Sequence, residues 1–357
     1  MSMLKLMAVG DISLQTPSGG HPFENVRGIF ESKDILFGNL ETVLSNQRKK
    51  AEKAVVLDSS PKKVKYLKDV GFDILNIANN HIMDLGSEGF HDTLGTLRKE
   101  GLSFIGANDK SEQSYAILEK HGIRLGFLGY TQGRFSLPEK RVWINELNLS
   151  DIAGDIESLK RQCDSVIISL HWGTENVFYP SPKQIDLAHR LIDTGATIIL
   201  GHHPHVIQGI DRYKHGLIAY SLGNFQFNPE ISYTKTNNSM ILCSELSKEG
   251  LENYYIIPVV IDQYFSPGVS GEAKEEISSF VRSLSEPISS GTLTWGWWFE
   301  QIAEEYLSGN MKSFIIRVRR YGIKHLLQAV IWLLSPFCLR CYAAVIGRRF
   351  RRSFRKA

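Results

Sequence analysis

Short apolar runs alternate with stretches of helical spacing over residues 4–262. The runs at 4–9, 34–37, 73–78, 103–105, 124–129, 166–170, 197–200, 217–221, 240–246 and 254–261 predict strands. Residues 61–70, 87–100, 152–163 and 182–193 place apolar side chains at helical spacing and predict helices between them. Such alternation implies an α/β protein with helices packed on sheets. The last strands follow one another with little helix between, which makes part of the sheet mixed or antiparallel.

Beyond residue 262 the pattern changes. Helices are predicted around 272–284 and 298–307, with a tryptophan cluster at 295–298 that packs on the main body or sits at a membrane interface. After Met311, Ile323, Leu326, Leu327, Val330 and Leu334 recur at helical spacing beside Lys312, Arg317, Arg319, Arg320 and Lys324. The apolar stretch 326–339 is too short to span a bilayer comfortably, and Pro336 interrupts it. Three regions result: a main domain at 1–265, a helical extension packing on it at 266–310, and a basic amphipathic tail at 311–357.

Charge sharpens that division. The chain of 357 residues has a net charge of +3 and 43% hydrophobic residues, an ordinary globular composition. Residues 306–357 hold 12 Lys/Arg and no Asp/Glu. The other 29 basic residues are set against all 38 acidic ones, a net charge of −9 for the body. An acidic body with a basic tail points to an anionic partner for the tail. An in-plane element on anionic cytoplasmic lipid fits better than a span, which would export the arginine-rich end against the positive-inside tendency, and packing against a partner helix is the alternative. No nucleic-acid motif is present, so nucleic acid is an unlikely partner. Four cysteines make no disulfide framework and suggest reduced thiols. The first residues, MSMLKLMAVGD, read as a strand rather than a signal peptide. The expected location is cytoplasmic, peripheral on the inner face of the cell membrane.

Chemistry enters where the runs end. The first closes on Gly10–Asp11; the second on GNLE, with Asn39 and Glu41; the third on ANNHIMD, with Asn79, Asn80, His81 and Asp84. Later runs close on SLHWGTE, with His171 and Glu175, on GHHPHVIQ, with His202, His203, His205 and Gln208, and on SLGNFQF, with Asn224. Taken singly, Asp11 reads equally as a cap or turn residue and His171 as a hydrogen-bonded core histidine. Six such endings together place polar groups along one rim, beyond the carboxyl ends of strands where α/β sheets bind ligands.

Carboxylates, an asparagine oxygen and imidazoles suit neither calcium nor a closed cysteine-rich zinc site. They fit transition metals, with manganese, iron or zinc foremost, as one ion or as two sharing a bridging carboxylate. Bound metal lowers the pKa of water and clamps phosphoryl oxygens, and His81 is placed to protonate a leaving oxygen.

The order GDISL, GNLETVLS, ANNHIMDLG, SLHWGTE, GHHPHVIQ, YSLGNFQF closely resembles the CapA family of capsule or poly-γ-glutamate synthesis proteins. That family resembles the calcineurin-like metallophosphoesterases, which implies a four-layer αββα sandwich, here with a C-terminal helical extension. Carried over by resemblance, the metal ligands are Asp11, Glu41, Asn80, His171, His203 and His205. His81 and Asp84 become the catalytic pair, and Asn39, Glu175, Gln208 and Asn224 contact substrate or orient ligands. Two positions depart from the phosphoesterase pattern: Ser13 stands where a histidine is usual, and Glu41 where an aspartate is usual.

The activity implied is a metal-dependent phosphoesterase-like hydrolase acting in surface-polymer biosynthesis on an anionic phosphoester or polymer, in the company of polymer-synthesis membrane proteins. The rival is a non-catalytic polymer-binding or scaffold component of a membrane-bound synthesis and export complex. No P-loop is present, which speaks against ATP chemistry in this chain alone.

Overall fold

A computed structural model describes residues 2–16, 20–110, 114–133, 141–228, 236–269 and 271–354. The strand Leu4–Ile12 is the axis of the first sheet and is buried at every residue except Lys5. Ile35–Leu40 runs parallel beside it, followed by Ile74–Asn76 and Ser103–Ile105, also parallel. On the opposite edge lie the antiparallel strands Asn238–Ser247, Gly250–Ile261 and Pro267–Gly268. The short strand Asn224–Gln226 joins the carboxyl end of Leu4–Ile12 in parallel. The second sheet runs Ile210–Tyr213, Gly216–Ala219, Ile198–His202, Ser165–His171, Ile123–Thr131, Tyr115–Lys120. Its interior pairs are parallel and its two edges antiparallel.

The period of two along these strands builds the layers. Leu4, Leu6 and Ala8 face Phe127, Ile167, Ile198 and Leu200 in a core between the sheets. Met7 and Val9 point the other way, against Phe30, Leu67 and Phe90 under the first helical layer. Leu128, Ile168 and Ile199 face the helices Leu149–Lys160 and Pro182–Thr194 on the far side. The result is the expected helix–sheet–sheet–helix sandwich. Phe37 and Phe127 stack across the two sheets, centroids 6.3 Å apart. Burying each ring stabilises the join by about 2–3 kcal/mol.

The predicted helices recur as Val64–Asp69, Gly86–Lys99, Leu149–Lys160 and Pro182–Thr194. Ser181 and Gln184 form a capping box ahead of the last, with Pro182 at its first turn. Tyr115–Lys120, Ile210–Tyr213 and Asn224–Gln226 are additional strands. The first is a half-exposed edge strand with no clean alternation, and the last is too short to carry a period.

Ala273–Ser289 packs Ile277, Val281 and Leu284 into the intersheet core. The next helix, Trp295–Tyr321, runs for 27 residues. Its start is fixed on the second helical layer: Trp298 is buried and donates its indole N–H to the Tyr179 carbonyl at 2.9 Å. The tryptophans therefore split, with Trp298 packed inside and Trp295 45% exposed. Gly322 turns the chain into Lys324–Leu333, and Pro336–Phe354 then returns along the long helix. There Phe337 meets Phe299 and Tyr306, and Cys338 and Cys341 are buried, free thiols. Among the described residues no single helix is long and apolar enough to cross a membrane. Lys324–Leu333 and Pro336–Arg348 reach that length and composition only as a pair bent by 57°. Arg355 and Lys356 of the basic end lie outside the described residues.

Candidate metal centre

Strand register assembles the site. Asp11 pairs with Asn39 on one side and with Asn224 on the other, and Asn39 pairs in turn with Asn76. In the second sheet His171 pairs with His202. Asp11, Asn39, Asn76, His171 and His202 lie at or near the carboxyl ends of parallel strands and Asn224 opens the short strand beside Asp11, so both sheets deliver polar side chains to one seam. Close backbone approach is required there: a Cβ on Gly10 would stand 1.9 Å from the Gly223 carbonyl oxygen, and one on Gly201 1.9 Å from that of Tyr220. The loop that follows carries His203 at φ 93° and His205 at φ 60°, left-handed conformations that cost about 1–3 kcal/mol each.

Asp11, Asn39, Glu41 and Asp84 are fully buried. Asp11 lies 3.4 Å from His202 Nδ1 and 3.3 Å from His205 Nδ1. Asn39 donates its amide to Asp11 at 2.8 Å, and Asn76 donates to Asn39 at 2.8 Å. Glu41 Oε1 stands 3.5 Å from His171 Nε2 and 3.8 Å from both His81 Nε2 and His205 Nε2. Asn80 Oδ1 is 2.8 Å from His171 Nε2. Asn224 Oδ1 meets His205 Nδ1 at 3.0 Å and orients that ring. His81 Nδ1 is 2.6 Å from Asp84 Oδ2, while Lys53 donates to Asp84 Oδ1 at 2.6 Å.

Three overlapping sets of side chains bring their donor atoms within 4.8 Å of one another: Glu41, His171 and His203; Asp11, Glu41 and His205; Glu175, His203 and His205. Both Glu41 oxygens, both His202 nitrogens and His203 Nδ1 are buried without a hydrogen-bond partner among the described residues. Buried groups of this kind are ordinarily satisfied, and a carboxylate with imidazoles left over is a donor set suited to a transition metal.

Electrostatics point the same way. Burial disfavours the Asp11 charge, yet His202 and His205 hold its carboxyl well below the usual range. Burial and the neighbouring Asp11 charge push Glu41 well above it. Burial drives His203 down to about 4 and, with His203 beside it, His171 well below its ordinary value. His205 goes up to about 10, because the Glu41 and Asp11 carboxylates outweigh its burial. Carboxylates and imidazoles that shift one another this strongly form a donor set into which a divalent cation would fit.

Of the residues singled out in the sequence, Asp11, Asn39, Glu41, Asn80, His81, Asp84, His171, His203, His205 and Asn224 are joined by the contacts above. Glu175 is exposed at the rim. Gln208 donates to the Val177 carbonyl at 2.6 Å, where it ties two loops together. Sequence reasoning missed Asn76, Lys53 and the placement of His202 against Asp11. A lone asparagine inside the apolar run 73–78 was the available signal for Asn76. Lys53 gave none.

The family described as bacterial capsule synthesis protein PGA_cap matches residues 5–229. The chain is 34% identical over 284 residues to the capsule biosynthesis protein CapA of Bacillus anthracis, across 76% of this chain and 68% of that protein. It is 32% identical over 272 residues to the PGA biosynthesis protein CapA of Bacillus subtilis, across 74% and 71% of the two chains. A solved candidate 5'-nucleotidase from Staphylococcus aureus superposes with a TM-score of 0.50 at 12% identity, covering 79% of this chain and 58% of that one. That last likeness is one of fold.

Proposed function

The chain belongs to the PGA_cap family of bacterial capsule synthesis proteins, and on that premise we propose that it hydrolyses a phosphoester or related linkage in surface-polymer synthesis, using bound metal. The observation that carries this reading is Glu41: a fully buried carboxylate, both oxygens without a hydrogen bond among the described residues, ringed by three imidazoles at 3.5–3.8 Å. Asp11, Glu41, Asn80, His171, His203 and His205 would hold one or two ions. When bound, the metal supplies Lewis acidity, activating water and neutralising charge on a phosphoryl group.

The remaining residues prepare the reaction. Asp84 accepts from His81 Nδ1 at 2.6 Å and orients the ring, so that His81 carrying a proton on both nitrogens would present Nε2–H to the leaving oxygen. Lys53 and the Leu57 backbone N–H hold Asp84 in place at 2.6 and 2.8 Å. Asn76 fixes Asn39, and Asn39 fixes Asp11. Metal-loaded protein assayed on model phosphomonoesters and phosphodiesters tests the reading. Activity toward either class supports it; metal-loaded protein inert toward both counts against turnover.

A second reading, anionic-polymer binding without turnover, draws on Ser13. Its hydroxyl is buried and turned to the Gln226 carbonyl at 3.4 Å, so position 13 brings no imidazole to the centre.

Peripheral attachment to the inner membrane face belongs to the same proposal. Ile323, Leu327, Ile331 and Leu334 line one helical stripe and are 63–79% exposed. Flanking Arg319, Arg320 and Lys324 suit anionic headgroups.

A further inference from the structure

The long helix Trp295–Tyr321 crosses the mouth of the metal centre. A cavity of about 240 Å³ opens there. Asn80, His81 and His205 form its inner side, Glu175 lies at the exposed rim and Lys53 at one edge, and Gly309, Ser313 and Arg317 come from the helix. These three recur every fourth residue, so a single helical face looks onto the site. The helix is pinned in that position. Arg320 donates to the Ala54 carbonyl at 3.2 Å, the Tyr321 hydroxyl donates to the Lys53 carbonyl at 3.0 Å, and Lys324 pairs with Glu52 at 2.5 Å.

The two cations at this mouth differ. Lys53 is committed to Asp84 and to the Asn80 carbonyl. Arg317 is not: among the described residues no carboxylate pairs with it, and its Nε is buried without a hydrogen-bond partner. Its guanidinium lies over the Phe314 ring, 4.3 Å from the centroid, which fixes its position while leaving its donors unspent. A partly desolvated guanidinium with free donors is costly unless an anion meets it, and its planar fork matches carboxylate and phosphate oxygens.

We propose that Arg317 forms an anion subsite for a second oxyanion, carboxylate or phosphate, on the substrate whose first anionic group lies at the metal centre. The inference rests on that reading of the centre and adds a substrate class: molecules with two anionic groups a short distance apart. The long helix is then part of the binding site as well as a support for the tail.

Calorimetric titration of the metal-loaded full chain with non-hydrolysable probes tests it. Ethylphosphonate carries one anionic head, phosphonoacetate adds a carboxylate, and methylenebisphosphonate adds a second phosphonate. The expected result is tighter binding of at least one two-headed probe, with Arg317→Gln weakening that probe about tenfold and ethylphosphonate less than twofold. Arg317→Lys, which keeps the charge and loses the fork, falls between. Which two-headed probe responds separates the carboxylate source from the phosphate source. Equal weakening of all probes, or none, overturns the subsite. Ethylphosphonate binding indifferent to metal would count against the metal centre while leaving a selective Arg317 effect intact, so the two failures are distinguishable.

Discussion

The backbone N–H of His203 donates to the Asp11 carboxylate at 3.3 Å, although 192 positions separate them. Asp11 is next to last in the central strand of one sheet and His203 follows a strand of the other. The candidate centre therefore sits on the seam between two sheets, above the Phe37–Phe127 stack that joins them. Chemistry and sandwich packing depend on the same few residues.

His81→Ala separates proton donation from metal holding. It is expected to lower kcat on an alkyl phosphoester by about 10²-fold or more, the ordinary scale of general acid catalysis. The loss on a nitrophenyl ester, whose leaving group needs little help, is expected to be much smaller. Metal content, read in parallel, stays unchanged.

The acid limb of stability tests Asp84. Burial raises its carboxyl, but His81 and Lys53 hold it below the ordinary 3.8. A depressed folded value gives stability that is present above the unfolded value and lost as pH falls through the folded one. Asp84→Asn is therefore expected to cost about 1–3 kcal/mol near neutrality, with the difference from the parent protein shrinking below about pH 4. Denaturant melts across pH 2–7 read both.

How much of this was legible depended on what surrounded each residue. Asp11, Asn80, His171 and His203 each follow an apolar run, and parallel strands end on one rim, so their meeting could be argued from the chain alone. His202 could not be placed that way: it ends its strand, and whether its ring faces Asp11 or the outer layer depends on register. Asn76 was hidden inside an apolar run. Arg317 sat within a basic stretch that reads as tail charge, and its position over the centre depends on how a helix docks. That helix also outruns the expected 298–307. Gly309–Asn310 resembles a stop signal, but packing beyond it, such as Phe314 on Trp332 at 5.2 Å, carries the helix on to Tyr321.

Gly309 offers a test of the mouth. A Cβ there meets nothing within 4 Å, and the residue sits inside a helix. Gly309→Ala is expected to stabilise the protein by about 0.5–1 kcal/mol with little change in KM. Gly309→Trp is expected to fill the cavity and raise KM. Thermal melts and steady-state kinetics on the two variants check the contrast.

The C-terminal helices are expected to bring the full chain down with vesicles containing anionic lipid, and to release it in high salt. Ile331→Asp removes an apolar side chain from the exposed stripe and adds a negative charge, and should weaken sedimentation about tenfold. Equal binding to neutral and anionic vesicles would contradict the electrostatic part.

The most direct test of the metal centre is elemental analysis of the full chain purified with neither chelator nor added metal. About one to two equivalents of manganese, iron or zinc are expected, lost in the Glu41→Ala, His203→Ala double variant. Protein that carries no transition metal, and whose melting temperature does not move when these ions are added, would contradict the account.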